Sequence, residues 1–148
     1  MKFIKYKLIP EDLYKEIFTY IPRFCVDVVI KDKNKGVLLV RRNIEPFKGY
    51  WHIPGGLIRR GERVKDAAKR KAFEETGLNV KIKKFIGIYD DPKRDPRGSV
   101  ISLLFLSYPI GGKLKVNKKE NSDVKFFKKL PKNIGFDARK MIKDSSRC

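Results

Sequence analysis

The sequence predicts an α/β protein, an α/β/α sandwich around a mixed β-sheet. Three observations carry that expectation. Apolar, β-branched runs return along the chain at residues 24–30, 36–40, 80–89 and 99–108. Three other segments space their apolar residues at helical intervals. A length of 148 residues with 41% hydrophobic residues supplies one sizeable core, so a single domain over 1–148 is expected.

The elements follow in order. Residues 3–9 read as a short mixed strand. Pro10, Glu11 and Asp12 mark a helix start, and Leu13, Ile17, Phe18 and Ile21 give it one apolar face before Pro22 ends it. Residues 24–30 form a strand, 31–36 a charged turn, and 36–40 the returning strand of a hairpin. Arg41 and Arg42 close that strand; guanidinium forks suit phosphate oxygens, and Arg42 reads equally as a solvated arginine or as a substrate contact. The loop 43–50 is built on Pro46 and Gly49. Tyr50 and Trp51 bring aromatics that either pack beneath that loop, the favoured reading, or stack on a base. Residues 80–89 and 99–108 make a second hairpin around the polar turn 90–98, whose tip can reach over a site. Residues 113–119 are a basic strand or loop. Leu130 and Pro131 introduce a last helix over 134–143, with Phe136, Ala138, Met141 and Ile142 as its apolar residues, and 144–148 are expected to fray.

The stretch from Trp51 to Leu78 is the densest in signals. Gly55-Gly56 suits a place where backbone approaches a ligand or another chain closely. Gly61 and Glu62 read as the opening of a helix with its acid in the first turn. Val64, Ala67, Ala68, Ala72 and Phe73 give that helix an apolar face, and Gly77 stops it. Glu74 and Glu75 close its last turn. Adjacent carboxylates beside a glycine-rich bend are hard oxygen ligands of the kind Mg²⁺ or Mn²⁺ takes while also holding phosphates, although two glutamates alone read as ordinary surface ion-pair partners.

The full spacing changes the balance. Gly56, five residues, Glu62, seven residues, Arg70, then Glu74-Glu75 and Gly77-Leu78 resembles the Nudix box, over about residues 56–78. The resemblance implies a Nudix-type sandwich and a metal-dependent hydrolase of nucleoside diphosphates linked to another moiety. It implies Mg²⁺ or Mn²⁺ held by the Gly55 carbonyl, Glu74 and Glu75, with Arg70 orienting the glutamates and Glu62 supporting the metal cluster. Lys71 departs from the pattern, which has glutamate there. Either the site holds fewer metals, or the Lys71 ammonium contacts substrate phosphate as a point charge, or the domain binds without catalysis. The turn 90–98 resembles ADP-ribose pyrophosphatases, which makes Arg94 and Arg97 candidate phosphate or ribose contacts, against a reading as a solvated turn with local Asp–Arg pairs. The front half resembles GDP-mannose mannosyl hydrolases, which also lack that glutamate and use a late loop. On this chain the late loop is 119–123. Glu120 falls near a metal ligand, and Asn121 near a histidine base whose work an amide cannot do, which leaves Glu120 or Asp123 for it. His52 is adjacent to the box and is assigned a structural role.

The formal net charge of +19 implies attraction to polyanions, or a surface of solvated lysines, and no nucleic-acid-binding motif accompanies it. No apolar run is long enough to span a bilayer and the N-terminus lacks a signal-peptide core, so no membrane partner is expected. Two cysteines, Cys25 and Cys148, make no disulfide framework and point to a cytoplasmic protein. Three functions are therefore weighed. The leading one is a metal-dependent hydrolase of a nucleotide-linked small molecule of the ADP-ribose or GDP/ADP-sugar class. The others are a non-catalytic nucleotide sensor with a basic nucleic-acid-binding surface, and an RNA-processing enzyme. Family members are often homodimers, and the resemblance extends that expectation here.

Overall fold

The computed structural model describes residues 8–147. Its elements run α1 (Glu11–Tyr20), β1 (Arg23–Asp32), β2 (Gly36–Arg42), β3 (Trp51–His52), β4 (Gly55–Leu57), α2 (Val64–Thr76), β5 (Leu78–Tyr89), β6 (Val100–Gly112), β7 (Asn121–Phe127) and α3 (Ala138–Ser146). The strands form one mixed sheet flanked by helices. Among the described residues no helix is long and apolar enough to cross a membrane. The strand expected over 3–9 lies mostly outside the described residues, and Leu8 and Ile9 are not in a strand.

β1 is the hub of the sheet. It runs parallel to β6 from Arg23↔Val100 to Ile30↔Ser107. On its other edge it pairs antiparallel with β4, where Val26 faces Gly56. The expected hairpin between β1 and β2 therefore closes over only two pairs, Lys31↔Val37 and Asp32↔Gly36. Beyond them β2 leaves to pair with β3 on one side and β7 on the other, because β4 already occupies the rest of that β1 edge.

The pleat sorts the core into two faces. Val26, Val28 and Ile30 of β1 pack with Leu38, Phe105 and the α2 alanines Ala67, Ala68 and Ala72. Val29, Leu39, Leu104 and Leu106 face the other way, against Trp51, Ala138, Met141 and Ile142. Burial of such side chains contributes about 1.5–3 kcal/mol each.

Four local expectations are corrected. α2 starts at Val64, after Glu62, because Gly61 turns the chain at φ 82° first. Phe73 is half exposed and is not part of the apolar face, since the small alanines already fill the contact with the sheet. The last helix starts at Ala138 and not at Ile134, because Ile134 bridges to Trp51 and Phe136 adopts φ 53°. It runs through Ser146 and does not fray from 144: Tyr89 Oη donates to Asp144 Oδ2 at 2.6 Å and Ser145 is buried.

Candidate active site

The last two turns of α2 divide the acids of the box by their position around the helix. Arg70 and Glu74, four residues apart, share the outer face, where Arg70 Nη1 donates to Glu74 Oε2 at 3.2 Å. Arg70 also grips Glu62, donating from Nε at 2.6 Å and from Nη2 at 3.0 Å. Its Nη2 further donates to the Leu57 carbonyl at 2.9 Å. The second Glu62 oxygen accepts the Arg59 backbone N–H at 3.0 Å. Glu62 is thus consumed in fastening the turn before the helix to the helix itself. Arg70 orients Glu62 and Glu74, but makes no bond to Glu75.

Glu75, one step further round, points inward and is 2% exposed. Its Oε2 accepts the Gly55 N–H at 2.7 Å. Its Oε1 accepts the Asn121 side-chain amide at 3.4 Å. Burial pushes its carboxyl up to about 7, with the charge of Glu120 adding to the rise and that of Lys71 opposing it. Lys71 lies across Gly56, with Nζ at 3.5 Å from Glu74 Oε2. A Cβ on Gly56 would come within 2.7 Å of Lys71 Cε, and one on Gly55 would collide with the Asp27 carboxylate. Gly55 is therefore demanded by close approach, since its Cβ would also meet the Val26 carbonyl, whereas the flexible Lys71 side chain could yield at Gly56.

Two further side chains reach this centre: Asp27, to which the sequence reading gave no role, and Asn121, which it set near the place of a histidine base whose work an amide cannot do. Asp27 of β1 is partly buried beside Gly55, accepts a hydrogen bond from Ser102 Oγ, and lies 3.6 Å from Arg94 Nη2. Burial pushes it up to about 6. The available signal was a lone acid in the apolar run 24–30. Asn121 opens β7 and is 1% exposed. A bulge between Arg41 and Arg42 sets Arg42 opposite Asn121, with Ser122 left over, and this turns Asn121 inward. Glu120 precedes it at the mouth, and Asp123 spends Oδ1 on the Val124 N–H at 2.8 Å.

The wall opposite α2 is rich in arginine. Arg94 is held bidentately by Asp137, both bonds at 2.8 Å. Arg97 pairs with the buried Asp95 at 2.8 Å, so this turn is docked rather than solvated. Arg42 donates from Nε to the Pro46 carbonyl at 2.6 Å. Arg42 and Arg97 lie over the Phe136 ring at 5.1 and 5.6 Å. All three arginines line one cleft of about 640 Å³ with Gly55, Lys71, Glu74, Glu75 and Glu120. Of the three, Arg97 keeps the most exposed side chain, at 44%. Trp51 packs edge-on against Phe127 with ring centroids 4.8 Å apart, so its role is packing. His52 Nε2 is buried, and burial pushes the imidazole down to about 3.

Among the described residues no three His, Cys, Asp or Glu side chains are grouped closely enough to cage a metal ion. The donors present fit a more open arrangement. Glu75 and Glu120 are near enough for the Glu120 charge to raise the Glu75 carboxyl. One or two carboxylates completed by water and substrate phosphate is a common way to hold Mg²⁺. Glu74 is less available, since Arg59, Arg70 and Lys71 all pair with it.

Comparison with known proteins identifies the family and the fold. A family model described as NUDIX domain matches residues 21–144. An ADP-ribose pyrophosphatase of Methanocaldococcus jannaschii is 44% identical over 138 residues, covering 92% of this chain and 80% of that one. The crystal structure of an ADP-ribose pyrophosphatase from Streptococcus suis superposes with TM-score 0.69 at 27% identity, covering 86% of this chain and 94% of that one. The NUDIX domain of Shewanella oneidensis NrtR, crystallised with ADP ribose, has TM-score 0.72 at 24% identity over 86% of this chain and 88% of that one, a likeness of fold.

Proposed function

The chain belongs to the NUDIX domain family and is a Nudix hydrolase, and we propose that it hydrolyses the diphosphate of ADP-ribose or a closely related nucleotide-linked sugar with the help of Mg²⁺ or Mn²⁺. One observation carries the reading: a buried carboxylate, Glu75, is fixed at the floor of a cleft whose opposite wall is arginine-rich. The substrate class is supported by the relative of 44% identity, whose name is ADP-ribose pyrophosphatase.

Glu75 and Glu120, with the Gly55 carbonyl and Glu74 beside them, would hold the cation. When bound, the ion supplies charge neutralisation for the diphosphate and lowers the pKa of a bound water. The chain's own residues do the rest. Arg97 and Lys71 present positive charge to phosphate oxygens. Arg42 and Arg94, already anchored by Pro46 and Asp137, shape the wall behind them. Arg70 keeps Glu74 and Glu62 in register with the loop at Leu57. Glu120, at the open mouth, would serve either as that cation ligand or as the base that takes a proton from the attacking water.

The test is Glu75→Gln. Removing the charge while keeping the shape should abolish turnover of ADP-ribose, with an unchanged fold by circular dichroism. Turnover near that of the wild type would overturn the assignment.

A sensor reading is favoured by one observation, the Lys71 ammonium paired with Glu74 where an acid would strengthen cation binding. It expects ADP-ribose to bind without cleavage, and expects salt-sensitive retention on DNA or RNA through the basic surface.

A further inference from the structure

Two buried polar atoms near Glu75 lack partners, His52 Nε2 and Asn121 Oδ1. The two side chains are neighbours: the Asn121 side chain raises the His52 imidazole against the burial that lowers it. The sheet explains why they meet. His52 pairs with Val40 across β3–β2, and Asn121 stands opposite Arg42 across β2–β7. Val40 and Arg42 are two residues apart, so His52 and Asn121 project on the same face of the sheet. The bulge beside Arg42 then turns Asn121 between the histidine and the glutamate.

We propose that His52 and Asn121 form a buried relay that positions Glu75: His52 Nε2–H donates to Asn121 Oδ1, and Asn121 Nδ2–H donates to Glu75 Oε1. With the Gly55 N–H already on Oε2, the relay engages both oxygens of the carboxylate. The opposite assignment turns Asn121 Nδ2 to the histidine, and so sets Asn121 Oδ1 against a Glu75 oxygen. Two acceptors then face each other whenever Glu75 is ionised. The Ile53 backbone competes for the imidazole proton. The Asn121 bond that ends on the Glu75 carboxylate is roughly twice as strong as one between neutral groups; it fixes Nδ2 toward Glu75 and leaves Oδ1 facing the imidazole, where only an Nε2–H can meet it. His52 and Asn121 are positioning residues, and neither is placed to touch substrate. That Glu75 is a metal ligand rests on the function proposed above; the relay itself does not.

The chain contains 1 histidine, so its imidazole signals need no assignment. Long-range proton–nitrogen correlation spectra of the protein without metal or substrate, at pH 8, should show the Nε2–H tautomer. Asn121→Ala should move the proton to Nδ1. Titration with Mn²⁺ alone, read by electron paramagnetic resonance, should weaken about 10- to 100-fold in Asn121→Ala and in His52→Leu. His52→Gln, whose amide can still donate, should restore most of the affinity. An Nδ1–H tautomer in the wild type overturns the relay, and that spectrum needs no variant to fold. So does an unchanged tautomer with unchanged Mn²⁺ affinity in Asn121→Ala. If the wild type shows Nε2–H but does not cleave ADP-ribose, the relay stands and the proposed function falls.

Discussion

Glu74 and Glu75 are neighbours in sequence and opposites in environment. Glu74 is spread among three cations on the outer face, whereas Glu75 is buried and held by one backbone N–H and one amide. The sequence made both glutamates visible, but not their division, which depends on how α2 is rotated against the sheet. His52 was read as structural, and its neighbour Asn121 was hidden, because the bulge that aims Asn121 inward leaves no mark in the local sequence. His52 also gives a pH dependence. Its folded pKa, about 3, lies below the ordinary value of 6.5. The unfolded chain therefore binds the proton more readily, and stability present above pH 6.5 is lost as pH falls toward 3. Between pH 6 and pH 4 that loss is at most about 1.4 kcal/mol per pH unit. Chemical denaturation of wild type and His52→Gln across that range should show a shallower slope in the variant; identical slopes would contradict the assignment of a neutral, buried imidazole.

At the scale of elements, the site is the meeting of α2, β4, the middle of β1 and the start of β7. The helix was legible because its alanines recur at helical spacing and Gly77 stops it in the left-handed conformation at φ 78°. Its first residue was misread, since an acid after a glycine resembles a helix start. Here Glu62 instead turns back to bond the Arg59 N–H and Arg70. The late start of α3 was equally hidden, because the Asn133 carbonyl and the Gly135 N–H on either side of Ile134 are taken up by the backbone of Trp51, far away in sequence. Close approach at β4 predicts a contrast between two glycines. In Gly55→Ala the new methyl meets the Asp27 carboxylate and the Val26 carbonyl, whereas in Gly111→Ala it meets nothing within 4 Å. Thermal melts should show Gly55→Ala destabilised by about 1–3 kcal/mol and Gly111→Ala close to wild type. Equal melting temperatures would show that β4 yields more readily than its packing implies.

Across the whole molecule, the two faces of the sheet are closed by different helices, α2 on one and α3 on the other. The sandwich was legible from periodicity alone. The order of the strands was not, because parallel pairing of β1 with β6 joins segments more than seventy residues apart. The C-terminal turn belongs to this closure. Deleting residues 144–148 removes the Tyr89–Asp144 hydrogen bond and the buried Ser145. It should cost about 1–3 kcal/mol in urea denaturation; an unchanged midpoint would mean that α3 is closed by its first two turns. The functional account rests on the cleft lined by Glu75, Glu120 and the three arginines. Its most direct test is product-resolved hydrolysis of ADP-ribose by the wild-type protein, with Mg²⁺ or Mn²⁺ and with chelator, beside Lys71→Glu. The account predicts metal-dependent release of AMP and ribose 5-phosphate by the wild type itself. Binding of ADP-ribose without cleavage by the wild type, with cleavage appearing only in Lys71→Glu, would contradict it and identify a sensor.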